Sequence, residues 1–100
     1  MAEHPLSTIG ELDPEALEKV QQLQSFALDE GELSRKTKLL IGMALDAANG
    51  AVNGVRSLAM QAKTEGATKG EIMETLRVVF YIHGASTLYT ASAALRDLDL

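Results

Sequence analysis

Three ionisable side chains stand in otherwise apolar surroundings and are the first candidates for chemistry. His83 follows an apolar run and precedes a glycine, so it is expected at a helix C-terminus, where the dipole favours an imidazolium that can act as an acid or base. Arg77 lies among aliphatic residues and could hold a substrate carboxylate through two hydrogen bonds. Asp46 is the only charged residue of the apolar segment 39–48, where burial would let its carboxyl group transfer protons.

Each of the three also has a purely structural interpretation. His83 could cap a helix by bonding to backbone carbonyls. Arg77 could form an ion pair with Asp46, or with Glu74 three residues before it. Asp46 could lie at a helix edge near the Asn49-Gly50 break and be hydrogen-bonded or ion-paired. One histidine without cysteines or paired carboxylates beside it predicts no metal site, and no cofactor is expected.

A second group of polar residues lies around this Asn-Gly break. Asn49, Asn53 and Ser57, with the glycines between them, could present amide groups to a small anion at a helix N-terminus. Residues of these types also simply break and cap helices. Tyr81 and Tyr89 could line a ligand pocket, or they could be ordinary core and interface aromatics.

The elements that position these residues are predicted to be five helices joined by short loops. Apolar residues recur at helical spacing, as in the stripe of Leu17, Val20, Leu23, Phe26 and Ala27, and no segment of useful length alternates with the period of two that is typical of strands. The five helices are expected from Asp13 to Gly31, from Ser34 to the Asn-Gly break, from near Ala51 or Val52 to Gly66, from Thr68 to His83, and from about Ser86 to Leu95. Asp13 and Ser34 are predicted N-caps, Thr68 and Glu71 a capping box, and Gly31 a left-handed C-cap. Residues 13–100 are therefore predicted to form one all-α domain, with residues 1–12 as an N-terminal tail.

Composition narrows the classes of function. The chain has 100 residues, 14 Asp and Glu against 9 Lys and Arg, and a net charge of −5. An acidic chain is a poor candidate for binding nucleic acid or an anionic membrane surface. With no cysteine, it offers no disulfide, no thiolate metal ligand and no thiol nucleophile. No segment matches a secretory signal or a membrane span, so a cytoplasmic location is expected.

The distribution of apolar residues predicts self-association. Residues 39–48 are apolar on every side of a helix, and such a helix must be buried on every side. A chain of 100 residues offers few neighbours to cover such a helix. We therefore expect a homo-oligomer.

Four segments, in this order, resemble the carboxymuconolactone decarboxylase/AhpD-like family. Residues 33–41 (LSRKTKLLI) are similar to its "LSxKTKELI" opening, and residues 49–55 (NGAVNGV) match its "NGCxxCV". Residues 66–72 (GATKGEI) resemble its "GATxEEI" turn, and residues 83–86 (HGAS) align with its "GGxP" turn. The resemblance covers about residues 33–98 and implies an all-α fold that forms trimers or hexamers through its long helices.

The resemblance also implies what chemistry this chain lacks. Redox-active members use a Glu, two Cys and a His, because a Cys-x-x-Cys pair at a helix N-terminus has a lowered thiol pKa and the other two groups move protons. The matching positions here are Leu39, Ala51, Gly54 and Leu58. A peroxidase activity, or a role as a redox partner of peroxiredoxins, is thus implied by the resemblance alone. The residues at these four positions contradict it.

Two hypotheses remain for what the chain does. The first is a homo-oligomer without thiol chemistry that binds a small carboxylate. The second is a decarboxylase of a small acid or lactone, with His83 as the acid or base, Arg77 as the carboxylate anchor, and Asp46 or Tyr81 in support.

Overall fold

The computed structural model describes residues 5–100, and in that range it contains six α-helices and no strand. The predicted all-α fold is confirmed. The helices are α1 (Ser7–Leu12), α2 (Pro14–Leu28), α3 (Arg35–Ala48), α4 (Val52–Thr64), α5 (Lys69–His83) and α6 (Ser86–Leu95). The helix that was not predicted is α1, which lies within the predicted N-terminal tail. Residues 1–4 of that tail fall outside the described range. Helix α1 has six residues, no side-chain cap and no buried side chain, so it leaves almost no periodic signal.

Three helices begin at the predicted capping residues. The Asp13 side chain accepts a hydrogen bond from the Ala16 amide at 3.0 Å, and Pro14 occupies the first position of α2. The Ser34 hydroxyl accepts from the Thr37 amide at 3.1 Å at the start of α3. These caps satisfy backbone donors that a helix leaves without partners in its first turn.

A capping box starts α5, as predicted. The Glu71 amide donates to Thr68 Oγ1 at 3.1 Å, and the Thr68 amide donates to Glu71 Oε1 at 2.8 Å.

The prediction that Gly31 ends the first predicted helix as a left-handed cap is wrong. That helix, α2, already ends at Leu28, where the Asp29 amide bonds to the Ser25 carbonyl, so the chain needs no left-handed residue there.

The core lies among α3, α4, α5 and α6. Small side chains on α4 and α6 let these helices approach α3 closely, since alanines occupy most of their buried positions. The fully buried large side chains are Leu39, Met43, Val55, Ile72 and Leu76. The buried Thr87 hydroxyl donates to the Gly84 carbonyl at 2.8 Å, so it brings no unsatisfied polar atom into this core.

Much of the predicted apolar surface is exposed in the single chain. In the single chain only Leu39, Met43 and Ala47 are buried on α3, while Leu45 is 60% exposed, so burial of residues 39–48 on every side would need a second chain and stays a prediction. Helix α2 has no buried residue, and Phe26 in its stripe is 85% exposed. Within residues 5–100 no helix combines the length and the apolarity needed to cross a membrane.

Positive charges in the first turn of α3 are neutralised by other elements of the same chain. Arg35 Nε lies 3.2 Å from Glu65 Oε1, and Lys36 Nζ lies 2.9 Å from Glu71 Oε2. The Lys38 ammonium donates to the Asp29 carbonyl at 2.6 Å. Cations at a helix N-terminus oppose the helix dipole, and these contacts offset that cost while tying α3 to the first turn of α5.

Candidate functional site

An apolar groove runs between α3 and α5 and is called the α3–α5 groove below. It consists of two adjoining hollows of about 350 and 230 Å³ that share Ala44, Leu45 and Val78. One end is lined by Thr37 and Thr75, and the other by Ala48 and His83. Along the groove, the residues of α3 and of α5 both advance in chain order, from Thr37 to Ala48 and from Thr75 to His83. The two helices therefore run in the same direction.

His83 lies at the C-terminal end of this groove. It is the last residue of α5, and its side chain is exposed to solvent. The helix is capped instead by Gly84, whose amide bonds to the Phe80 carbonyl at 2.9 Å and whose φ of 114° suits glycine. Within the described residues the imidazole forms no hydrogen bond or ion pair. It is therefore free to meet a ligand.

Arg77 lies on α5 but outside the α3–α5 groove. It is exposed, and in the described part of the chain it forms no ion pair with Asp46 or Glu74, so neither predicted pairing occurs. His83 follows Arg77 by six positions, which places the two side chains about 120° apart around a helix. A single chain thus does not bring the two predicted catalytic groups into one cavity.

Asp46 faces α4 rather than the groove. Its carboxylate lies against Gly54, in the space that a Cβ atom on that glycine would fill. Helix α4 begins after Ala51 without a side-chain cap, so the carboxylate is the acidic group beside its first turn, where negative charge is favourable. The Asp46 carbonyl also accepts a hydrogen bond from the Ala51 amide at 2.9 Å. Asp46 therefore supports the α3–α4 turn.

The four positions that match the family's redox groups are occupied by packing contacts. Leu39 is fully buried in the core. The Leu58 side chain lies against Gly42 of α3, with its Cδ1 atom 3.2 Å from where a Cβ atom would be. Ala51 is partly buried at the start of α4, and Gly54 contacts Asp46. None of these four residues has a titratable side chain, and Leu58 and Gly54 pack α4 against α3.

The predicted polar group around the α3–α4 turn is dispersed. Asn49 is the exposed C-cap of α3, and its backbone N–H donates to the Leu45 carbonyl at 3.0 Å. Asn53 is exposed in the first turn of α4. Ser57 lies one turn later, where its hydroxyl accepts from Gln61 Nε2 at 3.1 Å. Of these, Ser57 lines a separate cavity, and neither asparagine lines it or the groove.

That separate cavity lies between α2 and α4 and is called the α2–α4 cavity. It has a volume of about 700 Å³ and is bounded on α4 by Ser57 and Gln61. Its α2 wall includes Val20, Leu23 and Gln24. The sequence analysis missed the two glutamines, because uncharged amides on the flank of a helix resemble ordinary surface residues. The polar groups named here are neutral, so the cavity has no charge to hold an ion.

Tyr81 is 86% exposed and lies outside the α3–α5 groove, and Tyr89 is 80% exposed on α6. Neither is therefore a core aromatic. Among residues 5–100 no three His, Asp or Glu side chains come close enough together to hold a metal ion.

The comparisons with known proteins identify one family. The model of the carboxymuconolactone decarboxylase family matches residues 14–97. The chain is also similar to the apo crystal structure of a carboxymuconolactone decarboxylase family protein from Legionella pneumophila, with 31% sequence identity, a TM-score of 0.85, and coverage of 90% of this chain and 80% of that one. No curated protein matches the chain. Because the family model spans most of the sequence and the fold agrees, the chain belongs to the carboxymuconolactone decarboxylase family.

Proposed function

We propose that this protein works as a homo-oligomer, a trimer or a hexamer, that binds a small carboxylate without thiol redox chemistry. The observation that carries the proposal is the exposed apolar wall of the α3–α5 groove, with His83 at its end. Leu45 is 60% exposed, Val78 63% and Ile82 75%. Apolar surface that is contiguous and exposed marks a site of association.

The overall dimensions support association. The chain has an accessible surface of 7009 Å², whereas a folded monomer of its mass is expected to expose about 5,500 Å². The excess of about 1,500 Å² is more than one partner contributes to an interface of standard size. The radius of gyration of 14.3 Å also exceeds the value of about 13 Å for a compact chain of this length.

Arg77 and His83 support the carboxylate part of the proposal. Arg77 has no carboxylate partner in the described range, and His83 has an exposed imidazole beside apolar side chains. A carboxylate with an apolar body would fit the groove end, since its oxygens can accept a hydrogen bond from the imidazole while its body covers aliphatic surface. The polar side chains of Asn49, Asn53, Ser57 and Tyr81 stay predicted ligand contacts.

Sedimentation equilibrium tests the assembly, and NMR spectra recorded while ligand is added test the binding. We expect a mass of three or six chains at micromolar concentration, and a monomer would contradict the proposal. For binding, the imidazole signals of His83 are followed in NMR spectra with benzoate and with carboxymuconolactone, using benzamide as the uncharged control. Saturable shifts with the acids alone support the site. His83→Gln should abolish binding in calorimetry, whereas His4→Gln is the matched control and should not.

Decarboxylation of a small lactone acid is the second candidate function, favoured by the family and by the position of His83 at the groove end. Loss of CO₂ breaks a carbon–carbon bond and leaves an electron pair, which a proton from His83 would quench. Because Arg77 does not line the groove of its own chain, anchoring would require Arg77 of the partner subunit. Release of CO₂ from carboxymuconolactone that His83→Gln abolishes would support this reaction. Binding without release would exclude it.

A cytoplasmic location stays a prediction, to be tested by cell fractionation.

A further inference from the structure

We propose that residues 5–32 of one copy, called the arm below, dock in the α3–α5 groove of a second copy. The arm comprises α1, α2 and the residues that follow them. This inference rests on the proposed homo-oligomer and adds which surfaces meet. It also implies that the groove with His83 is completed only when a second chain covers it.

The arm is poorly covered by its own chain. Neither α1 nor α2 has a buried residue. The two helices pack on each other, with the Leu17 side chain against Gly10. Between α2 and α4 lies the open α2–α4 cavity of about 700 Å³. Since tertiary packing supplies most of a helix's stability, a 15-residue helix without a buried side chain gains little from this arrangement.

The arm exposes apolar side chains of the kind that fill a groove. Along α2, Val20 is 44% exposed, Leu23 66% and Phe26 85%. These residues recur every three positions and follow an inclined row along the helix, which starts beside the open α2–α4 cavity at Val20 and Leu23 and ends at Phe26 outside it. An amphipathic helix binds a groove between two helices by inserting such a row of apolar side chains. Large aromatic residues such as Phe26 contribute most per side chain, because they bury the largest apolar area.

The lengths of the two surfaces agree. The groove extends from Thr37 to Ala48 on α3, which corresponds to about 17 Å at 1.5 Å per residue. Helix α2 has 15 residues and is therefore about 22 Å long. One arm is thus long enough to fill the hollow lined by Thr37 and Thr75 and to border the hollow lined by His83, where the small carboxylate is proposed to bind.

The charges of the two surfaces are complementary. Residues 5–32 contain seven carboxylates and one lysine, whereas residues 33–100 contain six carboxylates and eight Lys or Arg. In the described structure Glu11, Glu15 and Glu18 of the arm have no cation partner. Arg77, next to the groove residue Val78, likewise has no anion partner. An arm docked on a second copy brings these opposite charges together, and complementary charge fixes the orientation of such a contact.

Photo-crosslinking tests the contact directly. A benzoylphenylalanine at position 26, introduced into the full chain, is illuminated in an equal mixture of ¹⁴N- and ¹⁵N-labelled protein. We expect mixed-isotope products that join position 26 to peptides covering residues 37–48 or 75–83. The same probe at Ser92, an exposed residue of α6, is the control and should not yield these products.

The outcomes separate this inference from the proposed function. Crosslinks within one chain, or between chains but outside the groove, overturn the arm–groove contact while the oligomer stands. A monomeric protein overturns both.

A charge reversal gives a second, independent measurement. Arg77→Glu should raise the dissociation constant of the oligomer by about tenfold or more, because it sets a carboxylate against the acidic arm. Lys69→Glu makes the same change of charge at an exposed residue at the N-terminus of α5, away from the groove, and should change the constant by less than about threefold. Equal effects of both variants would contradict the contact.

Discussion

The carboxylate of Asp46 occupies the space that a Cβ atom on Gly54 would require. The two residues lie on different helices, α3 and α4, and their contact closes the turn between them. Gly54 matches the second cysteine of the family's redox pair. Any residue larger than glycine at this position must therefore displace the carboxylate, which ties the loss of the cysteine to the presence of Asp46.

A double-mutant cycle measures this relationship. In the Asp46→Ala background, Gly54→Ala should stabilise the protein by about 0.5–1 kcal/mol, since alanine is the better helix former. In the native background the new methyl group displaces the carboxylate, and the gain should vanish or reverse. We expect a coupling free energy of about 1 kcal/mol or more, measured by urea unfolding at one protein concentration. Equal effects of Gly54→Ala in both backgrounds would show that the contact has no energetic consequence.

The ion pair between Lys36 and Glu71 predicts a dependence of stability on pH. The hydrogen bond from Lys36, together with that from the Thr68 amide, holds the pKa of Glu71 below its ordinary value of 4.5. A lowered pKa in the folded state means that ionised Glu71 stabilises the protein above the ordinary pKa, and that this contribution is lost as the pH falls through the lowered value.

Glu71→Gln should therefore be less stable than the native protein at pH 7, and the difference should shrink as the pH is lowered below about 4.5. Glu74→Gln is the matched control on the same helix, because Glu74 has no ion-pair partner in the described structure. Thermal unfolding between pH 3 and pH 7 measures both variants. A difference for Glu71→Gln that does not vary with pH would contradict the assigned role of its charge.

Local signals in the sequence were enough to predict most helix boundaries. Asp13, Ser34 and Thr68 cap helices as expected, because a cap depends only on residues within one turn. Gly31 does not end a helix, since the Asp29 amide already closes the last turn of α2. The short helix α1 was not predicted, because six residues contain too few turns to show a helical period.

The candidate site could be predicted only in part. The position of His83 at the end of α5 follows from the apolar run and the glycine around it. Two other features depend on how the helices pack against each other, and residues close in the sequence carry no signal for such packing. These features are the contact of Asp46 with Gly54 and the separation of Arg77 from the groove. How much apolar surface one chain covers also depends on this packing, and Leu45 and Phe26 are apolar and yet exposed within one chain.

The buried position of Leu39 predicts that the family's redox groups cannot be restored one at a time. Leu39→Glu would place a carboxylate in a fully buried site with no cation provided for it. Burying an uncompensated charge costs several kcal/mol, so we expect a loss of about 3 kcal/mol or more, or failure to fold. Leu39→Met keeps volume and polarity and should cost less than about 1.5 kcal/mol. Chemical denaturation compares the two, and a well-folded Leu39→Glu protein would show that α3 can open at this point.

The exposed leucine in the groove wall gives the most direct test of association. Leu45→Glu introduces a charge at a site that is 60% exposed in one chain, so each chain should keep its helices and its circular dichroism spectrum. If the groove is covered in the oligomer, that charge must be desolvated on assembly, and the dissociation constant should rise by at least about tenfold. Met73→Glu makes the same change of charge on α5 outside the groove and is the matched control. Light scattering over a dilution series distinguishes the two, and an oligomer that tolerates Leu45→Glu as well as Met73→Glu would place the association surface elsewhere.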